Sequence, residues 1–258
     1  HSRKLTDERA FNEATQLAEQ AEQIALKKIG SESAEYATCL FNKGRVYAGM
    51  LKYEEAESLY LKAKAIREKV LGKDNLPYTS CLVNLAALYI ETGRYSEYAT
   101  SANQLATAYL RTGKYEKAEY LYQETLIIRK QLFGNNNIET CNTLNALASL
   151  YNTLALYQEA EKYYNQAILI QEKKLGKEHP LYIGTYSNLG TIYKSMGRYP
   201  EAEKVFIETL ALREKILGKE HPDYATTLFN LSLLYTEKGD YETAATFAVQ
   251  AKEIRKKI

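Results

Sequence analysis

The sequence predicts an all-α fold, a solenoid of stacked helical hairpins. Three observations carry this. First, a block of residues returns at an interval of 42. Asn188-Leu189-Gly190-Thr191-Ile192-Tyr193, followed by Gly197-Arg198-Tyr199, comes back as Asn230 to Tyr235 followed by Gly239-Asp240-Tyr241, and is preceded by Ala146 to Tyr151 followed by Tyr157. A period of this size marks a repeat array. Second, small and apolar residues inside each block recur at spacings of three and four, the signature of an amphipathic helix. Third, glycines and loops such as Leu217-Gly218-Lys219-Glu220-His221-Pro222 fall where helices should stop and start. An array of this kind grows by stacking and has no single closed core. Residues 1–258 are therefore read as one solenoid.

The elements follow in order. Phe11 to Ile29 carries Ala14, Ala18, Ala21 and Ala25 at helical spacing, with Lys27 and Lys28 in its last turn before Gly30. Cations there suit the helix dipole. This is half a repeat, a second-type helix, within the N-terminal segment 1–30. Five full or partial repeats of two helices follow, with one more that is incomplete: 36–72, 78–97, 98–134, 139–176, 182–218 and 224–258. In the first, a helix from about Tyr36 to Met50 carries Leu40, Val46 and Tyr47. A second helix from about Glu54 to Leu71 carries Ala56, Tyr60, Ala63 and Ile66. Pro77, near the start of the next helix, is well placed because its missing amide hydrogen has no partner there.

One repeat is short. The tyrosines near the ends of the first helices are Tyr47, Tyr89, Tyr109, Tyr151, Tyr193 and Tyr235, spaced by 42, 20, 42, 42 and 42. The interval of 20 lacks 22 residues (42 − 20). Gly93-Arg94-Tyr95-Ser96-Glu97 begins a second helix, but Tyr98-Ala99-Thr100-Ser101 then matches the start of a first helix at Tyr224-Ala225-Thr226-Thr227. The loss amounts to one second helix plus its loop. A natural deletion would set two first-type helices back to back, invert the stack beyond them and strip Leu85, Leu88 and Tyr89 of their partner. Alternatively, about 22 residues of the natural molecule are absent between Glu97 and Tyr98. Continuous repeat faces on both sides favour this second explanation. The chain also ends inside an amphipathic helix with no polar cap, so the natural protein is expected to continue past Ile258.

Composition narrows the function. The net charge is +2 with both signs interspersed, and there is no basic stripe of the kind nucleic acid requires. No apolar run approaches a membrane span. Cys39, Cys81 and Cys141 are odd in number and widely spaced, which fits small core residues in a reducing, cytoplasmic setting. His179 and His221 sit at one place in two consecutive loops without further ligands at metal spacing, and are read as part of a helix-entry turn. No phosphate loop, nucleophile elbow or His-Glu-x-x-His pattern occurs. The carboxylates at Glu54, Glu55, Glu57, Glu159, Glu161, Glu201 and Glu203 gather at second-helix starts, where negative charge complements the dipole. No catalytic residues, metal or cofactor are expected, and the chain is read as non-enzymatic.

The pattern resembles tetratricopeptide repeats (TPR). Gly190 and Tyr193 in a first helix, the Gly197-Arg198-Tyr199 turn, and Ala202, Phe206 and Ala211 in the second carry the likeness. Ala56, Tyr60 and Ala63, and Ala160, Tyr164 and Ala167, hold the same frame. The usual unit is 34 residues. The 42-residue form is similar to kinesin light chains and to bacterial arrays that precede a CHAT protease domain or an NB-ARC module. The resemblance implies a right-handed α-α superhelical solenoid, with first helices on its concave face and second helices on its convex face. It implies mostly structural tyrosines, with hydroxyls reaching solvent or a loop carbonyl. It does not fix a biological role.

The residue five before each marker tyrosine is Asn42, Asn84, Gln104, Ala146, Asn188 or Asn230. Asparagine is a mediocre helix former, so its recurrence needs a reason. In peptide-binding relatives of this type, matching asparagines point into the groove, where each amide can clamp a peptide backbone with one donor and one acceptor. The competing reason is a bond to the adjacent helix. With their neighbours Asn103, Asn142, Asn145 and Asn152, and the isolated cations Arg45, Arg111 and Lys194, these residues predict a polar concave groove for an extended peptide, with acidic side chains as a further expectation. The leading reading is a non-catalytic protein-interaction module. A regulatory version would control an effector domain of the same chain. The alternative is a structural scaffold that self-associates.

Overall fold

The computed structural model describes residues 2–257, with side chains placed from Ala10 onward. The described residues form helices only. They are α1 (Ser2–Lys28), α2 (Ala34–Gly49), α3 (Tyr53–Leu71), α4 (Leu76–Glu91), α5 (Tyr95–Arg111), α6 (Tyr115–Phe133), α7 (Ile138–Thr153), α8 (Tyr157–Leu175), α9 (Pro180–Ser195), α10 (Tyr199–Leu217), α11 (Pro222–Glu237) and α12 (Tyr241–Lys256). They fall into two compact units, residues 1–132 and 133–258. Each unit is a run of antiparallel hairpins in which consecutive helices pack together, the architecture of an all-α helical-hairpin solenoid.

Helix α1 begins nine residues before the expected Phe11, and the later helices begin one to three residues earlier than their apolar periodicity indicates. At the first helices α2, α4, α7, α9 and α11 a capping residue sets the start. Ser33, Asn75 and Asn137 accept backbone N–H groups from Tyr36, Tyr78 and Glu139 at 3.1, 2.9 and 2.7 Å. At the same repeat position, His179 and His221 cap α9 and α11. Each accepts through Nδ1, from the amides of Leu181 (3.2 Å) and Asp223 (3.1 Å). Each cap satisfies one of the donors that a helix start leaves unpaired.

Tight turns close differently. The amide three residues past the helix end donates back to the carbonyl of the marker tyrosine. The pairs are Lys52 to Tyr47, Arg94 to Tyr89, Lys114 to Tyr109, Leu156 to Tyr151, Arg198 to Tyr193 and Asp240 to Tyr235, all at 2.8–2.9 Å. Elsewhere a tight turn alternates with a longer capped loop. Around α5 two tight turns come in succession, so α4, α5 and α6 form a three-helix meander.

Helix α5 runs unbroken through Glu97 and Tyr98, and the Tyr98 amide donates to Arg94 O at 3.0 Å. The expected repeat boundary there is not an element boundary. Nor do Leu85, Leu88 and Tyr89 lose their partner. They are 1%, 4% and 5% exposed and pack in one cluster with Tyr98 and Ala102, with Leu121 and Ile128 of α6 against it. A single helix thus starts like a second helix and ends like a first.

An ion-pair rule identifies the layer α5 serves. The acid in the loop before a first helix pairs with a cation at the end of the following second helix, 37 residues on: Glu32 with Lys69 at 2.6 Å, Glu178 with Lys215, and Glu220 with Lys257 at 3.1 Å. Asp74 pairs with Arg111, at the end of α5, by the same spacing at 3.5 Å. Helix α5 is the second-helix partner of α4.

Close helix crossings need small residues. Ala37, Ala56, Ala63, Ala160 and Ala202 are completely buried. Gly44 and Gly190 go further, because a Cβ on either would lie 2.8 Å from the ring of Tyr60 or Phe206. Those rings seat directly on the first-helix backbone.

Candidate functional site

Marker tyrosines anchor α4 and α11 to the preceding second helices through carboxylates. Tyr89 donates to Glu57 (2.8 Å) and Tyr235 to Glu203 (2.5 Å). The same glutamates take a cation from the next turn, Arg94 on Glu57 at 2.5 Å and Lys238 on Glu203 at 2.6 Å. Arg198 holds Glu161 in the third instance, at 2.9 Å. Burial pushes the Glu57 carboxyl up, but the bonds from Arg94 and Tyr89 outweigh it and hold the group below the ordinary carboxylate range. The bonds from Lys238 and Tyr235 do the same for Glu203 against a weaker burial penalty. Tyr235 is pushed up to about 12, first by its bond to Glu203 and then by burial. These glutamates are structural fasteners as well as dipole partners. The tyrosine hydroxyls reach acids here, where solvent or loop carbonyls were expected.

The asparagine ladder divides in two. Asn84 accepts from the Tyr60 hydroxyl (3.3 Å) and donates to Ser80 O (2.9 Å). Asn188 shares a side-chain hydrogen bond with Tyr164, the equivalent tyrosine. Burial raises both phenols to about 12, with Arg45 pulling Tyr60 and Asn188 pulling Tyr164 back down. Asn42 and Asn230 lack such a latch. The residue 24 positions earlier, a tyrosine for Asn84 and Asn188, is Ala18 for Asn42 and Phe206 for Asn230. Asn42 is exposed and Asn230 half-buried.

In unit 1, Arg45 and Asn84 line a groove of about 500 Å³ with Phe41, Ser80 and Val83. Its far wall is Tyr109, Lys114 and Lys117, from the corner between α5 and α6. Because α5 takes a second-helix place, α6 comes back beside α4, where a first helix would stand. Gln104 and Arg111 do not join this groove. They line a separate pocket of about 170 Å³ with Lys64, Glu68, Lys73, Asp74 and Tyr78. Gln104 accepts from Lys64 (3.3 Å), and Arg111 is paired with Asp74. The Oδ1 of Asn103 is buried without a protein partner.

In unit 2, Asn142 is exposed and Asn152 half-buried, while the Oδ1 of Asn145 is buried without a protein partner. Lys194 is neutralised by Glu237 at 2.6 Å. A cavity of about 270 Å³ between α8, α9 and α10 is lined by Ile168, Tyr186, Leu189, Tyr193 and Val205, and includes none of the predicted residues. Of the three cations expected in the groove, only Arg45 is exposed there without an acid. Lys114 and Lys117 were not anticipated, since by sequence they belong to the turn into, and the first turn of, a helix of second type.

Two of the three thiols are packing groups. Cys39, expected in the core with the others, is only half-buried, whereas Cys81 and Cys141 are fully buried and form no disulfide. Burial raises both, Cys141 to about 11. Among the described residues no cluster of three His, Cys, Asp or Glu side chains is arranged to hold a metal ion, and no helix is long and apolar enough to cross a membrane.

The tetratricopeptide repeat profile matches residues 48–97, 97–173, 139–206 and 181–257. The chain belongs to the tetratricopeptide repeat family. One TPR match ends and the next begins at Glu97, the point where the tyrosine spacing breaks. No curated protein matches the sequence. Among solved structures, BtubC (BKLC) from P. vanneervenii aligns at TM-score 0.58 and 23% identity, over 96% of this chain and 90% of that one. A Podosopora anserina protein of kinesin-light-chain type with nearly identical TPR-like repeats aligns at TM-score 0.54 and 22% identity, over 87% and 97%. At such identities the likeness shows a shared fold, that of kinesin-light-chain-type TPR arrays.

Proposed function

We propose that this TPR chain is a non-catalytic module that holds an extended protein segment against its first-helix faces. The TPR fold generally mediates protein–protein interaction. The observation that carries the finer reading is the pair of unlatched asparagines. Asn42 and Asn230 recur at the repeat position, stand on first helices, and form no side-chain hydrogen bond with another described residue. Each can offer one donor and one acceptor to a passing backbone. Asn84 keeps one N–H free beside its two bonds.

Panning a random peptide display on the 258-residue protein tests this. Selected peptides should lose affinity with Asn42→Ala or Asn230→Ala. Asn84→Ala should act through stability as well, because it strands the Tyr60 hydroxyl. Undiminished binding in both Asn42→Ala and Asn230→Ala would overturn the reading. On the likeness to arrays joined to protease or ATPase modules, the segment bound would regulate an effector domain of the same protein. Self-association is the second reading. It is favoured by Ile207 and Val249, which lie 42 residues apart on α10 and α12 and are 50% and 54% exposed. A concentration-independent monomer in light scattering would remove it.

A further inference from the structure

The cations of the unit 1 groove lack counter-charges. Across the molecule, basic side chains are tied to carboxylates: Arg94 to Glu57, Arg198 to Glu161, Lys238 to Glu203 and Lys194 to Glu237. Arg45, Lys114 and Lys117 are exposed and have no carboxylate partner among the described residues. They line one groove, whose lining includes no acid. Both lysines lie over the face of Tyr109, at 5.5 and 5.8 Å from its centroid, so one ring gathers two positive charges. The nearest acid along α6, Glu116, lines the neighbouring apolar pocket with Leu105 and Leu121.

This concentration of charge follows from the fused helix. With α5 in a second-helix place, the turn into α6 and its first turn enter a position that a first helix with polar Asn, Ser and Thr residues would occupy. Two lysines arrive there instead. Unit 2 keeps the ordinary order, and there Arg198, at the repeat position of Lys114, is held by Glu161 and Lys194 by Glu237.

We propose that the unit 1 groove takes an acidic segment of a partner protein. The inference rests on the groove reading above and names the chemistry of its occupant. Three unpaired cations supply attraction that is strongest at low salt. Phe41 and Val83 on the floor offer apolar contact that a phosphate backbone would leave unused. A net charge of only +2 also suits a local acidic ligand better than a polyanion.

Fluorescence anisotropy of the 258-residue protein tests it. The probes are a short fluorescein-labelled peptide of glutamate and leucine, its twin with each glutamate replaced by glutamine, and labelled oligothymidylate. The acidic peptide should bind most tightly and lose affinity as salt rises. Combining Arg45→Gln, Lys114→Gln and Lys117→Gln should weaken it by roughly tenfold or more, while Lys194→Gln leaves it unchanged. Equal affinity for the two peptides, an unaltered triple variant, or oligothymidylate binding as tightly would each overturn the proposal. Equal binding of both peptides that Asn42→Ala weakens would leave the groove reading standing and remove only the acidic preference. No binding of either peptide would overturn the acidic assignment, and the display experiment would still decide the groove.

Discussion

The two units are built from one repeat, yet they connect it differently. In unit 2 a tight turn alternates with a capped loop, so first and second helices keep their layers. In unit 1 the alternation slips once, at α5, and every short-range rule survives. The turn amides still close on Tyr89 and on Tyr109. The 37-residue ion pair still forms, between Asp74 and Arg111. Local chemistry in this array specifies hairpins. The layer a helix occupies is decided by the number of tight turns before it. A shortened repeat can therefore place a second-type sequence in a first-helix slot without leaving apolar surface bare.

The largest expected effects concern the buried joint between hairpins. In unit 1, Arg67 bonds Pro77 O at 2.7 Å and the Cys81 sulfur at 3.2 Å. In unit 2, Arg213 makes the matching bonds to Asp223 O and Thr227 Oγ1, both at 2.7 Å. Between them in the repeat series stands Gln171, 1% exposed, with neither amide atom partnered. Arg213→Leu should cost about 1–3 kcal/mol in chemical denaturation, because it leaves a buried carbonyl and hydroxyl short of a donor. Gln171→Leu should stabilise by about 1 kcal/mol, since it removes unpaired polar atoms. A loss on Gln171→Leu would mean that the amide is satisfied by water and that the joint differs between repeats.

Next come two strained turns, one in each unit. Leu51 and Ala155 have φ of 59° and 56°, where the other tight turns place glycine. Leu51 is 70% exposed, so little packing opposes its replacement. Leu51→Gly and Ala155→Gly should each raise the unfolding midpoint, by roughly 0.5–1 kcal/mol in free energy once the entropy of glycine is counted. Unequal signs would show that the two units differ in turn geometry, against the comparison above.

The smallest effect is acid sensitivity. Glu57 and Glu203 have folded pKa values below their unfolded ones. Their contribution is present above the ordinary carboxylate value, about 4.3, and is lost as pH falls through the lowered folded value. Glu57→Gln and Glu203→Gln should each flatten the decline of stability in that acid window, measured by thermal unfolding at stepped pH. An unchanged slope in both variants would remove the fastener role.

Much of this was legible in the sequence, for identifiable reasons. The period rests on local spacing, and local spacing survives folding, whereas the helix starts are shifted by their caps and the break in spacing at Glu97 falls inside one continuous helix. The fate of the ladder was partly legible, because the tyrosine that latches Asn84 or Asn188 lies a fixed 24 residues upstream. The loss of Arg111 and Lys194 from the groove was not, since their acids are brought to them by hairpin packing. Nor were Lys114 and Lys117. The turn and helix that carry them read as the entry to a second-type helix, and only the meander of α4, α5 and α6 makes them a groove wall.

Amide hydrogen exchange across residues 95–111 tests the central claim most directly. If α5 is one helix partnering α4, the amides from Tyr98 to Ala108 are protected as a continuous stretch. Rapid exchange confined to the amides around Tyr98, with protection resuming beyond Ser101, would show a helix boundary there and contradict the account.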